Sequence, residues 1–185
     1  MAVLEDKLLV WKFNRGSTEA LCRIYEKYSD DLVRIAAGLL NDKSIAEDIV
    51  QDVFLMFVHS AGKYEIRRNL KGYLTSCVVN RIHRLKKTEY GQETVGLDKG
   101  SPTLADSDFK APDQCVACDE EFQALYRAIA QLPYDQKEAV ILHVQGKMKF
   151  KDIAKLQETS IKTALSRYRY GLAKLRSMLD GKVEE

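Results

Sequence analysis

The chain has 185 residues, of which 45% are hydrophobic and 30% charged, with a formal net charge of +2. That composition excludes a wholly disordered chain, and the longest strongly apolar run, Val53 to Val58, is far too short to span a bilayer. The charge is unevenly placed: residues 1–88 carry 15 basic and 11 acidic side chains, residues 89–121 carry 2 and 9, and residues 122–185 carry 12 and 7. Two basic blocks flanking an acidic connector suggest contact with a polyanion, against the plainer reading of a charged, solvated surface.

In chain order, Val3 to Phe13 reads as a short amphipathic helix ended by Asn14-Arg15-Gly16. Glu5 and Asp6 stand where a signal peptide would be apolar, so a cytoplasmic location is expected, with Cys22, Cys77, Cys115 and Cys118 reduced. Ser17 is a good N-cap for a second helix, in which Leu21, Tyr25, Tyr28, Leu32, Ile35 and Leu39 recur every three or four residues on one face. Asn41-Asp42 breaks it, and Ser44 with Glu47 fits a capping box opening a third helix. There Ile45, Ile49, Val53 and Phe57, thickened by Ala46, Val50 and Phe54, face inward, while Glu47, Asp48, Gln51 and Asp52 form the polar side. After a loop from Gly62 to Asn69, a fourth helix is predicted from Leu70 to Lys87, with Tyr73, Leu74, Cys77, Val78, Ile82 and Leu85 inward.

Residues 89–118 lose apolar periodicity and gather Gly91, Gly96, Gly100, Pro102 and Pro112, which marks a linker. Helical patterning returns with Phe122, Leu125, Tyr126, Ile129 and Leu132, stopped by Pro133. Asp135 can cap the next helix, which carries Ala139, Val140, Leu142 and His143 and ends at Gly146. A short helix from Phe150 to Gln157 follows, and Ser160 caps a long final helix to about Leu179. The last two helices, with Ile153, Ala154, Ala164 and Tyr168 turned inward, make a helix-turn-helix pattern. Its outward face presents Lys162, Thr163, Ser166, Arg167 and Tyr170, types that contact phosphates and base edges. An ordinary helical hairpin with a basic face is the plainer alternative.

Two stretches carry a family resemblance. Leu132 to Val140, Phe150 to Ala154 and Ser160 to Arg176 resemble the promoter-reading C-terminal domain of bacterial sigma factors. Ala46-Glu47-Asp48-Ile49-Val50-Gln51-Asp52-Val53-Phe54 is similar to the sigma segment that docks on core RNA polymerase. Both occur in the family's order, with no room between them for a third domain, which points to the short extracytoplasmic-function (ECF) type. The resemblance implies an all-α protein of two small helical domains joined by a flexible acidic linker: 1–88 as region 2, 89–118 as the linker, and 119–185 as region 4 with the helix-turn-helix. It implies that Glu47, Asp48, Gln51 and Asp52 meet the polymerase clamp through charge-assisted contacts. It implies that Tyr64, Arg67, Arg68, Lys71, Tyr73, Asn80, Arg81, Arg84 and Lys87, with Lys86, open and hold the minus-ten element, by stacking and phosphate charge. Tyr73 equally suits a core position. Ser160, Lys162, Thr163, Ser166, Arg167 and Tyr170 are then the minus-thirty-five contacts. Arg167 is expected to reach a guanine and Lys162 a phosphate, while Leu165 is either partly buried or set against a thymine methyl.

The chain departs from the family pattern at Gln157, where an apolar residue is usual, at Glu158, where a turn glycine is common, at Ala164-Leu165 in place of Val-Lys, and at Arg84 in place of aspartate. The expected partners are core RNA polymerase, promoter DNA and an anti-sigma factor, with no membrane insertion. No catalytic residues, cofactor or metal are expected: there is no glycine-rich phosphate loop and no HExxH, and Cys115-x-x-Cys118 is half a zinc site, with His143 read as packed rather than ligating. The rival readings are a helix-turn-helix regulator with an N-terminal sensing or dimerising domain, and a thiol or zinc switch centred on Cys115 and Cys118.

Overall fold

A computed structural model of the chain describes residues 2–62, 69–93 and 120–180, with side chains over 4–62, 69–88 and 124–180. Every regular element among them is a helix: α1 (Ala2–Asn14), α2 (Thr18–Leu40), α3 (Lys43–His59), α4 (Leu70–Glu93), α5 (Glu120–Ala130), α6 (Tyr134–Val144), α7 (Phe150–Leu156) and α8 (Ile161–Asp180). The all-helical class expected from the sequence is the one observed. Residues 94–118 of the predicted linker, with Cys115, Cys118 and the loop residues Tyr64, Arg67 and Arg68, lie outside the described residues, while its first five, 89–93, belong to the end of α4.

The long helix α2 is the hub, packing against α1, α3, α4, α5 and α6. Its start is fixed by Ser17, whose Oγ accepts from the Ala20 N–H at 3.3 Å. It ends where Asn41 adopts the left-handed region at φ 58° and returns its N–H to the Ala37 carbonyl. Asn41-Asp42 is the entire connection to α3. Asp42, not Ser44, caps that helix: its carboxylate accepts from the Ile45 N–H at 3.0 Å, and a two-residue turn leaves no extended residue further on for a capping box. On the other side α1 lays Leu9, Val10 and Phe13 onto α2, and Phe13 stacks on Phe57 of α3 at 4.7 Å between ring centres. Asp6 of α1 is buried, and it is satisfied by the Tyr28 hydroxyl at 2.7 Å and the Lys27 ammonium at 2.9 Å.

Three residues expected in the core are half exposed instead: Tyr25, Ile45 and Tyr73. Tyr25 leans on Phe54 at 4.8 Å and Tyr73 on Phe57 at 6.4 Å, so each ring keeps an aromatic neighbour while part of it stays exposed. Helix α4 also runs six residues past its predicted end, because no proline interrupts residues 88–93.

In the C-terminal half α6 and α8 cross closely at Gly171, where an added Cβ would lie 2.8 Å from Val140 Cγ2. Asp135 does not cap α6; Pro133 occupies the N-cap position without a side-chain bond, and the Asp135 carboxylate is engaged by Arg167 of α8. His143 is packed as expected, stacked on Phe150 at 4.3 Å with Nδ1 3.0 Å from the Met148 carbonyl. The halves are not separate globules. One buried cluster runs from Leu32, Ile35 and Leu39 of α2 and Val78, Val79 and Ile82 of α4 through Ala139, Ile141 and Leu142 of α6 to Ile153 of α7 and Ala164 of α8.

Candidate nucleic-acid interface

The turn between α7 and α8 determines how the helix-turn-helix presents its second helix. Glu158 sits at φ 49°, the left-handed region, which is why glycine suits this position and why Glu158 carries local strain. Ser160 then caps α8, its Oγ accepting from the Thr163 N–H at 3.1 Å and lying 2.8 Å from the Thr163 hydroxyl. Ala164 is fully buried against α7, and Tyr168 meets both His143 and Phe150 edge-on. That packing leaves Lys162, Thr163, Ser166 and Tyr170 exposed along the outer face, with Arg169 beside them; Leu165 is half-buried.

Arg167 is placed differently from its expected base-reading position. Its guanidinium bonds Gln157 Oε1 at 3.0 Å and the Asp135 carboxylate at 2.5 Å, and Gln157 Nε2 in turn donates to the Asp135 carbonyl at 2.9 Å. The planar fork thus ties α8 to the turn and to the first turn of α6. The polar Gln157, unusual for the family pattern, completes this network.

On α4 the exposed side chains Tyr73, Asn80, Arg84 and Lys87 fall at spacings of seven, four and three, one continuous helix face. Burial pushes the Tyr73 hydroxyl up to about 12, so it stays a neutral donor at any physiological pH. Lys71 is drawn away to Asp31 of α2 at 2.6 Å. Arg81 is paired with Asp52 of α3 at 2.8 Å, so one expected DNA contact and one expected polymerase contact hold each other. On α3 Glu47, Asp48 and Gln51 are exposed, with Glu47 3.8 Å from Lys43.

The sequence reading missed a charged seam between α4 and α6. Glu138 is 2% exposed and accepts from His83 of α4 at 2.6 Å and from the Tyr134 hydroxyl at 3.2 Å. The hydrogen bond to Glu138 holds the His83 pKa above its ordinary value, against the opposing effect of burial. Lys86 lies 3.3 Å over the Tyr134 ring. Lys137 is 5% exposed, with Nζ 3.3 Å from Asn41 Oδ1; burial, then Lys86, lowers its pKa to about 8. Nothing local in the sequence marks Lys137 and Glu138, which sit on a helix otherwise read as capping and core, or pairs them with His83 and Lys86 of α4.

No helix among the described residues is long and apolar enough to cross a membrane.

Comparison with known proteins agrees with this architecture. The family described as Sigma-70 region 2 matches residues 24–90, and that described as Sigma-70, region 4 matches residues 122–175; together they span about two thirds of the chain. The chain is 24% identical to the ECF RNA polymerase sigma factor SigW of Bacillus subtilis, over 94% of this chain and 96% of that one. It is 22% identical to the RNA polymerase sigma-H factor of Pseudomonas aeruginosa, over 88% of each. Among solved structures, CnrH in complex with the cytosolic domain of CnrY superposes with a TM-score of 0.65 at 17% identity, covering 96% of this chain and 98% of that one. The sigma factor RpoE from Bartonella quintana, in complex with the anti-sigma factor NepR, gives 0.58 at 24% identity, covering 80% and 89%. Both halves of the sigma architecture are present in order along an all-helical chain, and the protein belongs to the ECF-type RNA polymerase sigma factors, which bind core polymerase and direct it to promoters.

Proposed function

We propose a division of that work among three helix faces. Asp48 and Gln51, exposed on α3, dock on a basic surface of core polymerase, with Glu47 at the rim. The α4 face of Tyr73, Asn80, Arg84 and Lys87 engages the minus-ten element, Tyr73 offering a stacking surface and the cations holding phosphates. The loop residues Tyr64, Arg67 and Arg68 are assigned to the same element on the family resemblance. The first three turns of α8 read the minus-thirty-five element, with Ser166 and Tyr170 against base edges and Lys162 and Thr163 toward the backbone. Ser160 acts as the cap, and Arg167, Arg81 and Lys71 act chiefly as braces. By this reading the N-terminal region 2 ends near residue 88 and region 4 begins near 119. The chain works in the cytoplasm, catalyses no reaction of its own, and answers to an anti-sigma factor, as RpoE does in its complex with NepR.

The observation that carries the reading is the capped α8, whose polar face stays free while Ala164 and Tyr168 anchor its back. In vitro transcription with purified core polymerase and a promoter library tests it. Enrichment of two separated elements is expected, and Ser166→Ala or Tyr170→Ala should shift the minus-thirty-five preference at a single position. Enrichment of one element only, or core-independent operator binding, would overturn it.

A further inference from the structure

Helix α1 is apolar on two opposite sides. Its inner side, with Leu9, Val10 and Phe13, is buried on α2 and on Phe57 of α3. On its outer side Leu4, Leu8 and Trp11 are 73%, 53% and 50% exposed. Their spacing of four and three lines them up as one ridge along the helix. Arg15 continues the ridge, its guanidinium 3.8 Å over the Trp11 ring. Lys7 and Lys12, both exposed, stand on the two flanks. The acids of α1 do not offset these cations, because Glu5 and Asp6 are both bonded to the Lys27 ammonium, at 2.7 Å and 2.9 Å. Among the described residues no acid pairs with Lys7, Lys12 or Arg15.

The shape and charge of this ridge select its occupant. A ridge three apolar side chains long forms no groove, and it falls short of the roughly 800 Å² per partner that a specific protein complex buries. A second copy of the chain meets the same shortfall. Nucleic acid would use the three cations but would set Leu4 and Leu8 against hydrated phosphates. An anionic lipid surface uses every group: leucine and tryptophan side chains enter the headgroup boundary, and flanking cations meet lipid phosphates. An indole suits that depth, its ring apolar and its N–H in reach of water.

We propose that the outer face of α1 is a docking ridge for anionic membranes. The chain lies on the bilayer rather than through it, since no helix among the described residues is long and apolar enough to cross. Leu4, Leu8 and Trp11 enter the headgroup boundary, Lys7 and Lys12 hold phosphates on either side, and Arg15 adds a third cation at the end of the ridge. The buried inner face keeps α1 helical before it binds, so the surface contact carries no cost of ordering the helix. With three cations and three apolar side chains, the contact is reversible and sensitive to salt.

Trp11 is the single tryptophan of the chain, so its emission reports on this face alone. The test titrates the full chain with vesicles of mixed phosphatidylglycerol and phosphatidylcholine, and with vesicles of phosphatidylcholine alone. Blue-shifted emission and cosedimentation are expected with the anionic vesicles only, both reversed by added salt. Lys7→Gln/Lys12→Gln should weaken partitioning about fivefold for each charge removed. Leu4→Gln/Leu8→Gln should remove the blue shift at the same lipid concentration. All four positions are exposed and glutamine is a good helix former, so helicity and melting temperature should stay at the wild-type values. Absence of cosedimentation with anionic vesicles would overturn the proposal. So would cosedimentation that survives both double variants, which would place the lipid contact on another basic face, such as that of α8. A blue shift with single-stranded DNA and none with vesicles would make the ridge a nucleic-acid face. A concentration-dependent shift without lipid, and none on adding vesicles, would make it a contact between two copies; either result overturns the membrane assignment.

Discussion

Helices α4 and α8 both present a polar face at promoter-reading positions, yet they differ in how much of that chemistry is already committed. On α8 the exposed Lys162, Thr163, Ser166 and Tyr170 face solvent, and Arg167 alone among the expected contacts is drawn inward, to Asp135 and Gln157. On α4 Lys71 belongs to Asp31, Arg81 to Asp52, and His83 to Glu138, leaving a thinner stripe of Tyr73, Asn80, Arg84 and Lys87. A basic residue on a helix is thus a candidate for DNA only when no acid of the same fold has already claimed it.

That comparison can be broken most sharply at α3. Asp48 is exposed and Asp52 is tied to Arg81, so Asp48→Arg should cost core-polymerase binding about 2–5 kcal/mol, the loss typical of one partner of a desolvated charge pair. Asp52→Asn should cost much less, since it mainly releases a half-exposed pair worth about 0.2–1 kcal/mol. Titration of each variant against core, with helicity as the control, checks both; equal losses would mean that Asp52 leaves Arg81 to meet the polymerase.

Arg167 comes next. As a brace, Arg167→Ala should lower the unfolding temperature and weaken binding on every sequence by a similar factor. A loss of about 1–3 kcal/mol confined to one base pair would show that it swings out to read DNA after all. Binding series on point-mutated promoters at several salt concentrations separate the two.

The seam between the halves should respond to pH in two opposite steps. His83 faces Glu138, Lys86 and Glu158, and its pKa is raised in the packed state. The stability it contributes is complete below the ordinary histidine value and is lost as pH rises through the raised one. Lys137, facing Lys86 and Asn41, is lowered to about 8. Its charged form opposes packing, so stability recovers as pH climbs from about 8 toward the ordinary lysine value. Thermal unfolding across this range should dip and then recover, and His83→Gln should remove the first limb.

The smallest effect is expected at the turn of the helix-turn-helix. Glu158→Gly relieves a left-handed backbone that costs a side-chain-bearing residue about 1–2 kcal/mol, offset by the greater freedom of glycine in the unfolded chain, for a net gain of about 0.5–1 kcal/mol. An unchanged midpoint in denaturant would mean that the attraction between Glu158 and His83 compensates for the strain.

The helices themselves were legible from the sequence because their signals are local. Ser17 and Ser160 cap where they were expected to, and the three- and four-residue spacing of Leu32, Ile35 and Leu39 gave the buried face of α2. Side-chain commitments were not legible, because their partners are far along the chain: Arg81 and Asp52 are 29 residues apart, His83 and Glu138 55, Lys137 and Asn41 96. Periodicity assigns a residue to a face but cannot say which other helix will cover it. The same limit hid the joining of the halves, since the pattern of α6 reads the same whether Ile141 closes its own domain or rests on Gly38.

The unbroken apolar cluster from α2 to α8 also bears on how this protein melts. Its α6 residues Ala139, Ile141 and Leu142 are shared property, counted in the stability of both halves at once. Neither half can lose its packing without stripping cover from the other, so heat should produce one cooperative transition, with calorimetric and van't Hoff enthalpies in agreement. Outside that shared core, each half keeps only what it buries alone. For the C-terminal half, beyond its part in that cluster, this is the small satellite of Ala128, Leu132, Val140 and Leu175. In local openings below that transition it is therefore the half whose amides should exchange first with solvent.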